Sequence, residues 1–531
     1  MRIQLIHPPV YLNVHAMTAL RPSLPLGLAY VAAALRDDGH ELSVIDAVAE
    51  APEEVVQESL DDRIFRLGLS PEEISARIRP DTEAIGLTNM WSFSWPLVRR
   101  IIQVLKRDWP DVPIVCGGEH FTGLSEWSMG QAPIDVIVRG EGEEAAVEVF
   151  RALAEGRREM PEVAGVVYRA GGRSDGAPVR TEARARRRSV DDIATPAWDL
   201  FDVELYNHYE LINGLNQGKT IPILATRGCP YQCTYCSNVG MWGTRWYARD
   251  PALVVDEIEG YVRGYGATNF PFQDLTAILK KDWVVAFCNE ILRRNLKITW
   301  QFPSGTRCEV IDEEVATLLR LTGGRALAFA PESGSARTRK LIKKQMKEEG
   351  LMRAVHASVR NKLNITAFIV IGFPHDTRED LRETTRLARR LGMAGIDDVA
   401  VGFFFPIPNT ELYDQLMEQG RVDLSDRFLL TPIYANDEKL EDRNNYCDHL
   451  TARQLTAWKY RILLNFYAVS MATHPWRAFS LAWNVLRGRE TRKMETFLIE
   501  LKRKGLLWLK GKLGLSRRDE PAAGEVARAE A

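Results

Sequence analysis

Short apolar runs alternate with helix-like stretches along most of this chain, and this alternation constrains the fold more than any other feature. In the first 150 residues, stretches with apolar residues at helical spacing separate five β-rich runs. The runs are RIQLIHPP, ELSVIDA, EAIGLTN, PIVCGGEH and DVIVRGEGEEA. Strands that alternate with helices predict a parallel sheet covered by helices on both faces. We therefore expect an α/β, doubly wound domain of flavodoxin-like or Rossmann-like type.

Composition and charge exclude several other classes of protein. The 531 residues are 45% apolar and 26% charged, as in soluble globular proteins, and the net charge of −2 does not indicate a nucleic-acid partner. The N-terminus MRIQLIHPPV does not have the pattern of a secretory signal peptide, and no run reaches the about 18 to 20 apolar residues of a membrane span. Seven cysteines, four of them far apart, argue against a secreted disulfide framework and predict a cytoplasmic protein.

Glycine-rich segments follow the last two strands of the predicted first domain. Gly117–His120 reads GGEH, and Arg139–Glu144 reads RGEGEE. Ligands of doubly wound sheets bind beyond the carboxyl ends of the strands, where glycine lets the backbone approach them closely. An ordinary strand-to-helix turn is the alternative for each segment. No G-x-G-x-x-G follows the first strand, which disfavours a nicotinamide cofactor.

Three of the seven cysteines lie within eight residues, in RGCPYQCTYCSN, directly after the strand-like run IPILAT. Cys229, Cys233 and Cys236 have the spacing C-x3-C-x2-C. A structural zinc site needs four ligands, and no histidine lies between His208 and His356 to supply the fourth. A redox C-x-x-C pair would leave Cys229 without a role. Soft thiolates favour an iron–sulfur cluster, and three of them leave one iron of a [4Fe–4S] cluster open to a substrate.

This motif, with the aromatic Tyr235 before its last cysteine, resembles the cluster motif of the radical S-adenosylmethionine (SAM) superfamily. The resemblance implies that Cys229, Cys233 and Cys236 hold a [4Fe–4S] cluster and that the domain is a partial (β/α)6 TIM barrel. Six strand-like runs separated by helical stretches agree with that fold: PILAT, TNFPFQD, ITWQFP, RALAFAPES, ITAFIVIGFP and DDVAVGFFF. Catalytic groups of such barrels come from the carboxyl ends of the strands, where the cysteine loop lies.

Further parts of the resemblance predict contacts to SAM. They imply that Tyr235, Asp274 in FQDLT and Glu332 in PESGS bind it. Many relatives read D-D-N where this chain has D-L-T, and Pro331 replaces the usual isoleucine before the glutamate. IGFPHDTRED and FFFPIPNTELY resemble the fifth-strand and sixth-strand segments of the family. A helix-capping or salt-bridged carboxylate is the alternative for Asp274 and Glu332.

The N-terminal half resembles the cobalamin-binding domain that is fused to a subset of radical SAM enzymes. PSLPLGLAYVAAALRDDGHELSVIDA, VCGGEH and VRGEGEEA carry the resemblance. It implies that cobalamin is bound at the strand ends by Thr88, Gly117, Gly118, Glu119, Gly140, Glu141 and Gly142. The D-x-H-x-x-G motif that supplies a histidine ligand to cobalt is absent. We therefore expect the lower face of cobalamin to have no histidine ligand, with His7 and His120 as the alternatives.

Together the two resemblances imply a cobalamin-dependent C-methyltransferase that acts on an unactivated carbon of a small molecule or lipid. A 5′-deoxyadenosyl radical made from SAM would abstract hydrogen, and methylcobalamin, recharged by a second SAM, would deliver the methyl group. One alternative is the anaerobic oxidative cyclisation of a porphyrin ester. A non-catalytic cobalamin sensor or carrier is an alternative of a different class. An electron donor such as flavodoxin or ferredoxin is also implied.

The predicted domains follow from these motifs and from changes in composition. They are a cobalamin-binding domain (1–150), a linker with a small hairpin (151–215), a radical SAM core (216–425), a helical C-terminal extension (426–518) and a disordered tail (519–531). From Arg487 to Arg518 there are eleven Lys and Arg residues against three Glu, and Trp476, Trp483 and Trp508 lie in or near this segment. We favour a helical cap packed on the barrel with a solvated basic face. The alternative is a peripheral contact with an anionic membrane.

Overall fold

The computed structural model describes residues 1–13, 22–61, 63–173, 175–187, 189–435, 439–487, 494–495 and 498–499. The strands are β1 Arg2–His7, β2 Val10–Leu12, β3 Glu41–Asp46, β4 Val55–Gln57, β5 Phe65–Leu67, β6 Ala84–Thr88, β7 Ile114–Gly117, β8 Val136–Val138, β9 Val166–Arg169, β10 Pro178–Arg180, β11 Thr226–Arg227, β12 Tyr247–Ala248, β13 Asn269–Pro271, β14 Thr299–Thr306, β15 Gly324–Glu332, β16 Asn364–Ile371 and β17 Asp398–Phe403.

The α-helices lie mainly between the parallel strands and after the last of them. They are α1 Leu26–Asp37, α2 Pro71–Ala76, α3 Trp95–Asp108, α4 Glu119–Gly123, α5 Ser125–Gln131, α6 Gly142–Ala154, α7 Val203–His208, α8 Asn238–Trp242, α9 Pro251–Tyr265, α10 Lys281–Arg293, α11 Glu313–Leu321, α12 Ala336–Leu341, α13 Glu348–Arg360, α14 Arg378–Ala394, α15 Glu411–Glu418, α16 Asp426–Leu429, α17 Thr431–Ala435, α18 Ala452–Thr473 and α19 Trp476–Leu486.

The first sheet has the strand order β10-β9-β8-β7-β6-β1-β3. The strands β3, β1, β6, β7 and β8 are parallel, and numbered along the chain they have the order 2-1-3-4-5 of flavodoxin-like folds. This confirms the predicted doubly wound domain. The antiparallel pair β9 and β10 extends the sheet to Arg180, beyond the boundary predicted at residue 150.

The direction in which strands are added reverses between β1 and β6, so a crevice opens there at the carboxyl edge of the sheet. The helices that cover the sheet are amphipathic. In α3, Pro96 lies in the first turn, where proline is well tolerated, and apolar residues at helical spacing are buried against the strands. The crevice thus lies at the carboxyl edge of the sheet, where the sequence predicts that a ligand binds.

The second sheet is parallel throughout, with the order β13-β14-β15-β16-β17 and helices between the strands. The preceding segment adds a sixth position through two isolated bridges, Thr220 to Asn269 and Ile223 to Phe272. The arrangement confirms the predicted partial barrel. IPILAT makes only these bridges to the second sheet. At its end the backbone N–H groups of Ala225 and Thr226 donate to the Asp274 carboxylate, and Thr226 begins the short strand β11, which pairs with β12.

A small antiparallel sheet with the order β2-β5-β4 was not expected from the sequence. Each of its strands has three residues, which is too short for the alternation of apolar and polar residues to be recognised. Its strands lie between β1 and β6 in the chain, within the first domain. Its central strand β5 contains Arg66, whose buried side chain pairs with Glu54 and Glu58.

The long helix α18 packs against α14 and β17. A Cβ atom at Gly392 of α14 would lie 2.9 Å from the carbonyl oxygen of Phe466, so the two helices approach closely only because this residue is glycine. The Tyr467 hydroxyl donates to Asp398 of β17 at 2.9 Å. Within the described ranges, no helix is both long and apolar enough to cross a bilayer. Trp508 and the predicted tail 519–531 lie outside the described residues.

Candidate functional site

The three cysteines lie in a loop that begins at a glycine turn after β11. Gly228 has φ of +82°, and a Cβ atom there would lie 2.2 Å from the carbonyl oxygen of Arg245, so only glycine fits. Cys229, Cys233 and Cys236 are half-buried free thiols. Burial raises the pKa of Cys229 and raises the pKa of Cys236 to about 11, and the neighbouring thiols add to both effects. The loop therefore brings the three thiols together at the barrel mouth.

The arrangement of these thiols fits a cluster better than a single metal ion. In the described part of the chain, no three His, Cys, Asp or Glu side chains converge in a way that would hold one ion. In an iron–sulfur cluster each thiolate binds a separate iron, so the sulfur atoms do not need to converge on one point. Binding to iron would also deprotonate the thiols of Cys229 and Cys236, whose pKa values burial raises. The donor set therefore fits a [4Fe–4S] cluster.

Asp274 holds the segment that enters the cysteine loop. Its buried carboxylate accepts hydrogen bonds from the backbone N–H of Ala225 at 3.2 Å and from the Thr226 hydroxyl at 2.6 Å. Burial raises the pKa of Asp274 to about 6, although these hydrogen bonds act in the opposite direction. The structure thus places this predicted SAM-binding residue directly behind the loop, where it positions the backbone.

Glu332 and Tyr235, two more predicted SAM-binding residues, contact each other across the barrel mouth. The Tyr235 hydroxyl donates to the Glu332 carboxylate at 2.8 Å, and the Lys344 ammonium donates to the same oxygen at 3.1 Å. Burial lowers the pKa of Lys344, but attraction by Glu332 and Cys233 outweighs burial and raises it. Glu332 has φ of +61° at the end of β15, an uncommon conformation for this residue type. Sequence reasoning missed Lys344, whose only signal is its place in the basic run LIKKQMK.

Several buried polar atoms at the barrel mouth have no hydrogen-bond partner among the described residues. They include the Gln273 amide nitrogen and the hydroxyls of Thr234 and Thr276. These atoms flank Asp274 and Tyr235 in the chain. Buried polar groups in proteins are nearly always paired, so unpaired ones mark a place for a polar ligand. The barrel mouth therefore fits SAM, which carries amino, carboxylate and hydroxyl groups.

The predicted cobalamin-binding residues line one edge of the first sheet. Thr88 ends β6 and is paired in register with Gly117, which ends β7. Gly118 has φ of +113°, and a Cβ atom there would lie 2.5 Å from the backbone oxygen of Asn89. The buried side-chain nitrogen of Asn89 has no partner in the described part of the chain. An unpaired amide beside a glycine cradle fits a large polar ligand such as cobalamin at this edge.

The remaining predicted residues of this edge lie on the side that faces the barrel. Gly140 follows β8 with φ of +75°, and its N–H donates to the Thr122 hydroxyl at 2.9 Å. Gly142 begins α6, and a Cβ atom there would lie 3.1 Å from Val31. Burial raises the pKa of Glu119, and a hydrogen bond with Ser237, next to Cys236, partly offsets this effect. Glu119 therefore connects the edge predicted to bind cobalamin to the cysteine loop.

A buried ion pair joins the two domains directly in front of the cysteine loop. Arg227, whose side chain is 4% exposed, pairs with Glu143 at the start of α6 and with Glu141 at 3.4 Å. Its guanidinium lies 5.5 Å from the Tyr30 ring and 5.7 Å from the Trp242 ring. Glu141, predicted to bind cobalamin, thus contacts the barrel domain. We call Arg227, Glu141 and Glu143 the interdomain ion pair cluster.

Both histidines that are alternatives as cobalt ligands have partners in the protein. His120 is fully buried, and its ring nitrogens lie 3.0 Å from the Ser92 hydroxyl and 3.2 Å from the Ser128 hydroxyl. Burial lowers its pKa to about 3. The Nδ1 atom of His7, at the end of β1, lies 2.9 Å from the Asp46 carboxylate. In His120 neither nitrogen is free for a metal, whereas in His7 hydrogen bonding occupies Nδ1.

Comparison with known proteins finds one family model for each half of the chain. A B12 binding domain model matches residues 15–150, and a radical SAM superfamily model matches residues 223–388. An uncharacterised methyltransferase of Pyrococcus horikoshii is 27% identical over 88% of this chain and 92% of its own length. An anaerobic magnesium-protoporphyrin IX monomethyl ester cyclase of Rubrivivax gelatinosus is 27% identical over 85% of this chain and 76% of its own length.

The fold is also similar to that of a solved enzyme. The radical S-adenosylmethionine methyltransferase TsrM of Kitasatospora setae, with cobalamin and a [4Fe–4S] cluster bound, superposes with a TM-score of 0.60. It is 21% identical and covers 79% of this chain and 78% of its own chain, so it supports the fold. The two domain matches and the donor groups at both sites identify the chain as a radical SAM enzyme with an N-terminal cobalamin-binding domain, whose cofactors are a [4Fe–4S] cluster, SAM and cobalamin.

Proposed function

We propose that this enzyme transfers a methyl group to an unactivated carbon of a small molecule or lipid. The observation that carries the proposal is that the two cofactor-binding edges meet at one interface. The interdomain ion pair cluster joins the start of α6 to the residue before the cysteine loop, and Glu119 contacts Ser237. Helices α4 and α8 meet at the same place. A substrate bound there would be close to both cofactors, as methylation of an inert carbon requires.

Each part of the chain has a proposed role in this reaction. Cys229, Cys233 and Cys236 hold the cluster, and Tyr235, Asp274, Glu332 and the missed Lys344 bind and orient SAM. Thr88, Gly117, Gly118, Glu119, Gly140, Glu141 and Gly142 form the cobalamin-binding edge. When bound, the cofactors supply a 5′-deoxyadenosyl radical and a methyl group, and the protein orients them and excludes water. A one-electron donor such as flavodoxin or ferredoxin supplies the electrons.

Oxidative cyclisation of a porphyrin ester is the second candidate. The similarity to the Rubrivivax gelatinosus cyclase favours it, because that similarity extends over 85% of this chain at the same identity as the methyltransferase relative. Methylation is preferred because TsrM, whose structure covers 79% of this chain, is a methyltransferase.

Isotope-labelled SAM tests the proposal and distinguishes the two candidates. Metabolites and lipids of a deletion strain and its parent are compared by mass spectrometry to find a compound that loses one CH2 group in the deletion strain. The unmethylated compound is then incubated with the enzyme and SAM that carries a deuterated methyl group. We expect labelled product, with 5′-deoxyadenosine and S-adenosylhomocysteine formed in equal amounts. Turnover without label or without S-adenosylhomocysteine would instead support the cyclase.

A further inference from the structure

Helix α19 presents an apolar face to solvent. Six of the seven most outward positions between residues 476 and 487 are apolar, and the four large ones are spaced at i, i+3, i+7 and i+10, which places them along one side of the helix. These four are Trp476, 61% exposed, Phe479, 78%, Trp483, 54%, and Leu486, 72%. With Leu464 of α18, they are five of the seven most exposed large apolar side chains among the described residues. Exposed apolar patches of this kind mark interaction sites.

The opposite side of α19 is attached to the barrel, so the apolar face has a defined direction. The Arg477 guanidinium donates to the backbone oxygen of Ile396 at 2.5 Å and to the Ser470 hydroxyl at 2.8 Å. Asn484, two residues before the end of the helix, also lies on the less exposed side and donates to the Glu495 carboxylate at 2.8 Å. These contacts place polar side chains of α19 toward the protein and its aromatic side chains toward solvent. Surface helices usually bury their apolar side chains and expose their polar ones, and α19 has the opposite arrangement.

The charges around this face are positive. From Ala452 to Arg487 the chain has five Lys or Arg residues and no Asp or Glu. Arg453 and Arg461 of α18 and Arg487 after α19 are exposed. The sequence that continues to Arg518 keeps the excess, with eleven Lys or Arg against three Glu from Arg487 onward. A second copy of this chain would bring like charges together, whereas an anionic surface would complement them.

We propose that α19 docks onto an anionic lipid bilayer, with its aromatic face in the headgroup region and the basic residues near the lipid phosphates. Tryptophan and phenylalanine beside basic residues are typical of helices that lie in a membrane interface. The contact is peripheral, because α19 lies on the surface with its polar side held by the barrel. It does not depend on the reaction proposed above, since it involves neither cofactor edge.

Vesicle flotation of the full-length protein tests this contact. We expect the wild type to float with vesicles of phosphatidylglycerol and phosphatidylcholine, to bind pure phosphatidylcholine much more weakly, and to lose binding at high salt. Phe479→Ser should lower the partition coefficient between bilayer and water about tenfold. Transfer of a phenyl group from water into the bilayer, even if it is not complete, contributes about this much. Leu321→Ser is the matched control, since Leu321 is 65% exposed on α11 and lies outside this region; it should bind like the wild type.

Three results would overturn the proposal. The first is equal binding of Phe479→Ser and the wild type, and the second is equal binding to charged and neutral vesicles. The third is a wild-type dimer in sedimentation analysis without lipid that Phe479→Ser converts to monomer, because the face would then be an interface between two copies. Circular dichroism of each variant confirms folding, which substitution of a 78% exposed side chain should not disturb.

Discussion

Removal of the Arg227 charge tests whether the interdomain ion pair cluster holds the two domains together. In Arg227→Met the volume of the side chain is largely kept, but Glu143 stays buried at the domain boundary without its partner. Burial raises the pKa of Glu143, yet Arg227 outweighs burial and holds this pKa below its usual value. The variant therefore forces a choice between an unpaired buried charge and uptake of a proton.

The expected loss is about 3 kcal/mol of unfolding free energy at neutral pH, because breaking a buried pair by removing one partner costs about 3–5 kcal/mol. We expect a loss at the lower end of this range because Arg187 also attracts the Glu143 carboxylate, which is therefore not left entirely without a positive neighbour. Replacing both partners, as in Arg227→Met with Glu143→Gln, should recover more than half of the loss. The difference between wild type and Arg227→Met should shrink as pH falls below about 4, since the contribution of a carboxylate with a depressed pKa is lost there.

Urea unfolding of the apoprotein, followed by far-ultraviolet circular dichroism, measures these values. Arg249→Met is the matched control, because Arg249 and Glu257 form a buried pair within the barrel domain, 2.5 Å apart. Both variants should be less stable, but only Arg227→Met should separate the unfolding of the two domains into distinct transitions. A loss below about 1 kcal/mol for Arg227→Met, or a single transition like that of the control, would refute this account of the interface.

Three further predictions concern the cofactor sites and the core. Anaerobically reconstituted protein should hold about four irons, and Cys233→Ala should lose iron and cleave no SAM; bound zinc, or cleavage at the wild-type rate, would contradict this. Gly118→Ala should weaken cobalamin binding in equilibrium dialysis by about 1–3 kcal/mol, because its φ of +113° and the Asn89 oxygen at 2.5 Å exclude a Cβ atom; unchanged affinity would remove Gly118 from the site. The free energy of unfolding should fall as pH drops below about 6.5, because the folded state keeps His120 neutral with a pKa of about 3 while the unfolded state binds the proton. His120→Gln should make the free energy of unfolding depend less steeply on pH in this range. An equally steep dependence in the variant would show that another group is responsible.

The sequence predicted the features that depend on local patterns. Apolar periodicity predicted the first parallel sheet, and the resemblance carried by the cysteine motif implied the second, with strand-like runs that agree with it. Asp274 was expected near SAM, with a capping or paired carboxylate as the alternative, and the structure shows it bonded to backbone amides beside the loop. A sequence pattern can place such a residue at a strand end, but the partner of its carboxylate depends on how the next segment turns.

Contacts between distant segments could not be predicted in the same way. Arg227 and Glu143 are 84 residues apart, and the opposite charges have no spacing rule that would pair them. Lys344 meets Glu332 only because the chain returns to the barrel mouth after α12. The three short strands β2, β4 and β5 also depend on pairing between segments whose individual patterns are too short to recognise.

The packing of α18 along the last strand has a consequence for how this chain avoids aggregation. Among the described strands, β17 pairs only with β16, so an incomplete barrel leaves the backbone groups along its other side open to strand addition. Leu455 of α18 packs near Gly372, Lys459 lies 5.0 Å from the Phe403 ring, and Tyr467 bonds to Asp398, so the helix covers β17 from one end to the other. A chain shortened before α18 would expose this edge as a template for intermolecular β-pairing, so the extension protects the open side of the barrel from strand addition.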